Sequence, residues 1–456
     1  MRKKLAAACE EVSRQRPWPP FPGYDIAFGC RWLRPVKEYT LDADVLNDSA
    51  YKGDRFERAF AVANLYLDPI KHQVPRLDAK PAIAVCVVPD EVYTNCRPNS
   101  YVVDISDERK TPTEMKALRA VLADRRSGQA RFDFGDELED LEQYGMSPDF
   151  RRQLKARVMQ HDLPVQIVRE STLRVTEKVR RGLKGVNPLS DRLWNMGTAL
   201  FYKCGRKPWK TPWARDGVCY VGLAYRRVER DRRTACCAAQ MFLDSGDGIV
   251  FVGEFGPWYS DDSKEFHLSR DAARDLLRGT IETYMNQDGR ELKEIFLHAR
   301  SGLNSEEFTG FSDACPEGVD LVGIRVRKDR LGPRLFRHDD HPNAARRGKH
   351  PVLRGTFWQR TKRHGLLFTS GFKPRIATYD GWEVPIPLSI TIQYGKADIL
   401  QVATDILGLT KLNYNSCQLG ESQPITVKYS DRIGEILLAN PDVPREQWRH
   451  NFKYYT

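Results

Sequence analysis

The chain has no run of eighteen apolar residues, which excludes a conventional membrane-spanning helix. Its start, Met1-Arg-Lys-Lys-Leu-Ala-Ala-Ala-Cys-Glu10, opens like an export leader but turns polar too early to supply a hydrophobic segment. It is therefore expected to be a helix of the protein itself. No C-x-x-C pair occurs among the 10 cysteines, so the spacing supports no zinc site. Cys86, Cys219, Cys236 and Cys237 fall instead in apolar, strand-like runs, as reduced and buried thiols of a cytoplasmic protein do. There is no internal repeat, which argues against a solenoid or propeller.

What is present is enough apolar material, 41% of 456 residues, for two sizeable domains and an N-terminal extension. The net charge is +11, from 72 basic against 61 acidic residues. Its clustering says more than its size. Arg174 to Lys184, Lys203 to Lys210 and Arg337 to Arg363 are basic stretches that suit a polyanion such as nucleic acid.

In chain order, the region up to residue 80 contains a proline-rich segment, Pro17 to Pro22, and a helix expected over Asp54 to Leu67. Pro81 to Val88 is a continuous apolar run, expected to be a strand buried on both faces of a parallel sheet. Helices are expected at Pro112 to Ala123 and Pro188 to Tyr202, with a short strand at Val165 to Val168. The stretch 127–162, acidic and then basic, reads as a surface-exposed insertion. Together these predict a Rossmann-like α/β unit over about 81–212.

From Cys219 the pattern changes. Three strands follow closely, Cys219–Val228, Thr234–Leu243 and Gly248–Glu254. Then come a helix (Leu268–Asn286), a strand (Glu294–Ala299), a helix (Ser305–Phe311) and a strand (Asp320–Arg327). Antiparallel strands first and strand–helix alternation afterwards is the order of an RNase H-like fold, expected over 213–456. A turn-rich β section (Pro351–Ile392) and helices at Lys396–Leu407 and Ser430–Leu438 complete it. His338-Asp-Asp-His341 has metal-binding residue types, but its Pro/Gly/Arg-rich setting marks it as a loop.

Five stretches carry a resemblance in their order and spacing: Cys219-Tyr-Val-Gly-Leu-Ala224, Ile295-Phe-Leu-His-Ala-Arg-Ser-Gly302, Pro351-Val-Leu-Arg-Gly-Thr356, Leu409-Thr-Lys-Leu-Asn-Tyr414 and Pro424-Ile-Thr-Val-Lys-Tyr-Ser-Asp431. The chain resembles an Argonaute of the short prokaryotic kind, which has MID and PIWI domains and is expected to lack the N-terminal and PAZ domains of long relatives. The resemblance covers roughly residues 80 to 456 and implies a Rossmann-like MID domain followed by an RNase H-like PIWI domain.

It also implies a set of functional positions. Cleaving relatives hold two metal ions with a tetrad of acids. Here the first position is Ala224, the second falls in the turn Arg300-Ser301-Gly302, and the fourth is Asp431. The glutamate between the first two has no clear place in the sequence. A methyl group cannot ligate Mg2+, so no slicing is expected. A shifted register that recruits Asp216 or Asp313 is the alternative.

The pocket for a guide 5′ phosphate is implied at Tyr93, Arg97, Gln166 and Lys203, the tyrosine stacking on the first base. Ala199 stands at a site that is basic in some relatives, a charge that Arg206 or Lys207 would then supply. Thr456 is implied as a terminal carboxylate sharing Mg2+ with that phosphate. Arg346, Arg347, Lys349, Arg354, Arg360, Lys362 and Arg363 are expected to line the guide–target channel. The partners implied are a guide RNA, a complementary target DNA, and an APAZ-domain effector protein bearing a TIR, sirtuin-like or nuclease domain, with oligomerisation on activation. The region 1–80 and the stretch 127–162 are candidate contacts for such a partner. Guide-independent RNA binding is the reading from another class.

Overall fold

In a computed structural model the described residues are 19–32, 34–98, 100, 146–174, 189–209, 215–227, 235–242, 248–252, 258–260, 265–287, 291–337, 351–373, 384–417, 420–440 and 447–456. The expected helix at Pro112–Ala123, the acidic run at 136–142, and most of the Arg174–Lys184 stretch lie outside them. So do His338–His341, Arg346, Arg347 and Lys349.

The first unit begins with a short helix α1 (Tyr24–Phe28), followed by α2 (Ala43–Ala50) and α3 (Arg55–Gln73). Asp54 caps α3, its carboxylate accepting from the amides of Phe56 at 2.7 Å and Glu57 at 2.9 Å. Strand β1 (Ala84–Val88), helix α4 (Asp90–Asn95), helix α5 (Phe150–Val158), strand β2 (Val165–Arg169), the single turn α6 (Glu170–Leu173) and helix α7 (Leu189–Lys203) follow. β1 and β2 pair in parallel, with Val85 opposite Gln166.

Two expectations change here. Residues 1–80 are not a separate extension throughout, because Val62, Tyr66 and Ile70 of α3 share one core with Val88, Val92, Phe150 and Leu154. The basic part of the stretch 127–162, expected to be a surface-exposed insertion, forms helix α5 and is largely buried as well. Phe150, Leu154 and Val158 recur every four residues on α5, and that stripe packs against α3. A third correction concerns β1. Its strand is shorter than Pro81–Val88, and Val85 and Val87 are 48% and 45% exposed, so only one of its faces is buried.

The second unit is organised on an eight-stranded sheet. It is built from β3 (Val218–Arg227), β4 (Ala235–Phe242), β5 (Gly248–Val252), then, after a separate β6 (Trp258–Ser260) and β7 (Glu265–His267) hairpin and helix α8 (Arg270–Gln287), β8 (Glu294–Ala299). Helix α9 (Ser305–Ala314), β9 (Asp320–Lys328), β10 (Phe357–Gln359), β11 (His364–Leu367) and β12 (Leu388–Tyr394) follow. The strand order is β10-β11-β12-β9-β8-β3-β4-β5. β3, β4 and β5 form an antiparallel meander, while β3, β8 and β9 run parallel. This is the RNase H-like arrangement.

Both faces of the central strands are covered, as a parallel segment requires. On β3, Val218 and Tyr220 enter one core, and Cys219, Val221 and Leu223 enter the other. Helices α10 (Ile399–Leu409), α11 (Ile425–Lys428) and α12 (Ser430–Leu437) supply the first core through Ile399, Ile406 and Ile433. α8 and α9 supply the second through Leu276, Leu277 and Phe311. Gly222 sits where β3 meets α11, and a Cβ there would stand 2.0 Å from the Thr426 carbonyl oxygen.

Candidate nucleic-acid interface

The end of β1 leads straight into α4, which places Tyr93 in its last turn and Arg97 just beyond it. Arg97 Nη1 donates to the Tyr93 hydroxyl at 3.1 Å. The guanidinium carbons of Arg97 and Arg169 each lie 4.9 Å from the centre of the Tyr93 ring. Arg169 is held there by Asp90, at 2.7 Å. The expected stacking of Tyr93 on a base thus meets a ring already carrying guanidinium groups.

Helix α5 starts against this turn. The Phe150 amide donates to the Cys96 carbonyl at 3.1 Å, and Asp149 caps the helix by accepting from the Arg151 and Arg152 amides at 3.0 and 3.3 Å. Gln166 and Lys203 come together from β2 and the last turn of α7. Lys203 Nζ donates to Gln166 Oε1 at 2.8 Å and to the Val165 carbonyl at 2.9 Å. Lys203 is 1% exposed, which excludes a solvated helix end. Burial, and then the nearby Arg151 charge, bring its pKa down to about 7.

Lys155, buried on α5, points its ammonium at the main-chain oxygen of Thr456. Burial pushes its pKa well below the ordinary lysine value, and the charges of Lys203, Arg151 and Arg432 push the same way. Thr456 is docked, at 2% exposure, with Tyr455 donating to the Arg449 carbonyl at 2.9 Å and Tyr454 to Asp162 at 2.6 Å. The result is a group of cations, two of them buried, of the kind that suits an anion. Lys155 and Arg151 were not among the expected pocket residues, because their helix read as a surface insertion. The signal that finds them is the apolar stripe of α5, which carries Lys155 inward. Ala199 is buried near the end of α7, and the buried cation beside Lys203 is Lys155, while Arg206 is exposed.

In the second unit, Gly222 on β3 lies opposite His298 on β8, so Ala224 falls level with the Arg300-Ser301-Gly302 turn at the end of β8. Asp431 lies in α12, which packs on β3; its side chain is outside the described residues. Arg300 Nη2 donates to the Val427 carbonyl at 3.1 Å, and His298 Nδ1 lies 2.9 Å from Thr426 Oγ1. These bonds tie the turn to the segment that leads into Asp431. The backbone of β3 thus lies beside the Arg300-Ser301-Gly302 turn, and α12, which carries Asp431, packs on the same strand.

It also adds a carboxylate that sequence reasoning did not place. Glu265, on β7, accepts from the Gly302 amide at 2.8 Å. Its other oxygen is engaged by Arg325 of β9, whose Nε also reaches the Arg300 carbonyl at 3.3 Å. A guanidinium, which carries one charge and no open coordination position, thus occupies the carboxylate at this turn. Of the alternative acids, Asp313 is committed to Arg270 at 2.7 Å.

Among the expected channel residues, Arg360, Lys362 and Arg363 are exposed around the β10–β11 turn. Arg363 is oriented by bonds from Nε to the Ile392 carbonyl at 3.0 Å and from Nη1 to the Gly395 carbonyl at 3.1 Å. Arg354 differs. It is half-buried and donates to Thr410 Oγ1 at 2.5 Å, which makes it a packing residue of the fold.

No protein-family model matches the chain. It is similar to the protein Argonaute of Aquifex aeolicus strain VF5, at 23% identity over 290 residues, 62% of this chain and 35% of that one. The chain thus spans about a third of that relative's length. Among solved structures it is similar to Clostridium butyricum Argonaute bound to a guide DNA and a 19-mer target DNA, at 17% identity and a TM-score of 0.46, covering 73% of this chain and 40% of that one. It is also similar to A. aeolicus Argonaute, at 21% identity and a TM-score of 0.44, covering 62% and 36%.

Proposed function

We infer that this chain, an Argonaute homologue, anchors a 5′-phosphorylated guide strand and uses it to recognise a complementary nucleic acid without cutting it. The observation that carries the reading is the pair of buried cations Lys203 and Lys155, with half-buried Arg151 acting on both, beside Gln166, and Tyr93 and Arg97 at the end of α4. Buried positive charge is costly, and a phosphate would offset it. The guide is taken to be RNA and the target DNA, paired along the exposed basic residues Arg360, Lys362 and Arg363. There the backbone contacts provide affinity and base pairing provides the sequence reading.

Ala224 and Ser301 supply no carboxylate, and Glu265 is matched by Arg325. That supports a PIWI centre without slicing. The output then falls to an associated protein, which the resemblance implies is an APAZ-domain effector acting in defence against plasmids or phage. The test is loading. Tyr93→Ala combined with Lys203→Ala abolishes retention of phosphorylated guide while the melting curve stays cooperative. Unchanged retention in that variant overturns the pocket.

A further inference from the structure

We propose that Lys155 takes the place of a divalent cation in the phosphate pocket, so that this chain holds a guide 5′ phosphate without Mg2+. The proposal rests on the reading of this pocket as the guide anchor. A metal bridging a phosphate and the terminal carboxylate of Thr456 competes with any cation already paired with that group, and it needs further hard oxygen donors. Here the main-chain oxygen of Thr456 already accepts from the Lys155 ammonium. The two residues stand 301 positions apart, and Lys155 is 6% exposed, so the fold as a whole builds this contact.

The surrounding charges oppose a dication. The positive charges of Lys203, Arg151 and Arg432 all act on Lys155. The acid among its neighbours, Asp149, is committed to the N-terminus of α5 and lies 3.6 Å from Arg152 and 4.0 Å from Arg97. Glu435, on α12, is bound by Arg152 at 3.0 Å. Among the described residues no group of three His, Cys, Asp or Glu side chains converges to hold a metal. These charges and paired acids weigh against the Mg2+ expected from sequence.

An ammonium can do the same work. It carries three protons, one directed to Thr456 and two more that can serve phosphate oxygens, and it offsets the repulsion between the two oxygen groups. Its burial leaves that charge undercompensated until an anion arrives, in keeping with the lowered pKa of Lys155.

The test compares a short RNA bearing a 5′ phosphate with the same RNA bearing a 5′ hydroxyl, by fluorescence anisotropy, in Mg2+ and in EDTA at matched ionic strength. The proposal expects the wild-type preference for the phosphate to be the same in both buffers. It expects Lys155→Met to bind the phosphorylated RNA about tenfold or more weakly in EDTA. A wild-type preference that collapses in EDTA and returns with Mg2+ overturns the proposal and leaves the pocket reading intact. Absence of any phosphate preference in either buffer overturns the pocket reading itself, and the proposal with it. Electron paramagnetic resonance with Mn2+ decides without a variant. The complex is expected to retain no more Mn2+ than the RNA alone, and a tightly held additional ion overturns the proposal.

Discussion

The ammonium of Lys203 donates to Gln166 Oε1 at 2.8 Å and to the Val165 carbonyl at 2.9 Å, in a site sealed from water. Two of its three protons are thus fixed by the strand, which leaves one more that a ligand could take. Burial lowers its pKa from 10.5 to about 7, so the guide-free protein has lost much of this proton by mildly alkaline pH. A phosphate is a dianion above neutrality and draws the proton back. Affinity for a 5′-phosphorylated strand is expected to fall as pH rises from about 7 to 8.5. Affinity for the hydroxyl-ended strand stays nearly flat. Isothermal titration in buffers of different ionisation enthalpy measures the proton uptake.

The same group makes a stability prediction of opposite sign. Between its folded pKa of about 7 and the ordinary 10.5, the unfolded chain holds a proton that the folded chain lacks. Stability of the guide-free protein therefore gains from this residue as pH rises through that window, by at most about 1.4 kcal/mol per pH unit. The gain is lost as pH falls toward 7. Lys203→Met is expected to remove this part of the slope, as read by chemical denaturation between pH 7 and 8.5.

Arg325 and Glu265 make the slicing prediction specific. Restoring acids by Ala224→Asp with Ser301→Asp is expected to give no cleavage while Arg325 still holds Glu265. Any gain of cleavage requires Arg325→Ala as well. Gel analysis of a labelled target in Mn2+ checks this, and cutting by the double variant contradicts it.

Packing gives two further tests. Gly222→Ala drives a methyl into the Thr426 carbonyl and is expected to destabilise the chain by about 3 kcal/mol or more. Leu154→Ala opens a cavity beneath α5 and is expected to cost about 2–5 kcal/mol. A near-neutral Leu154→Ala would restore the view of α5 as a surface insertion.

Most of the second unit was legible in the sequence because its strands are long apolar runs with turn residues between them. Glu294–Ala299 has the bounds expected for it, and β3 differs from its expected span by one residue at each end. The first unit was harder. The basic residues Arg151, Arg152, Lys155 and Arg157 mask the apolar stripe of α5, so charge suggested exposure where packing dictates burial. Of the proposed phosphate pocket, Gln166 and Lys203 were implied by the resemblance, while Lys155 depends on a contact with Thr456 that no local pattern encodes. Glu265 was missed for a related reason. Its meaning comes from the Gly302 amide and Arg325, which lie 37 and 60 positions away.

The most direct test of the account loads the purified chain with a 5′-phosphorylated RNA and offers end-labelled single-stranded DNA, complementary or scrambled, in Mg2+. The account predicts retention of the complementary strand alone, recovered at full length. Retention of both strands alike, or recovery of a severed complementary strand, would contradict it.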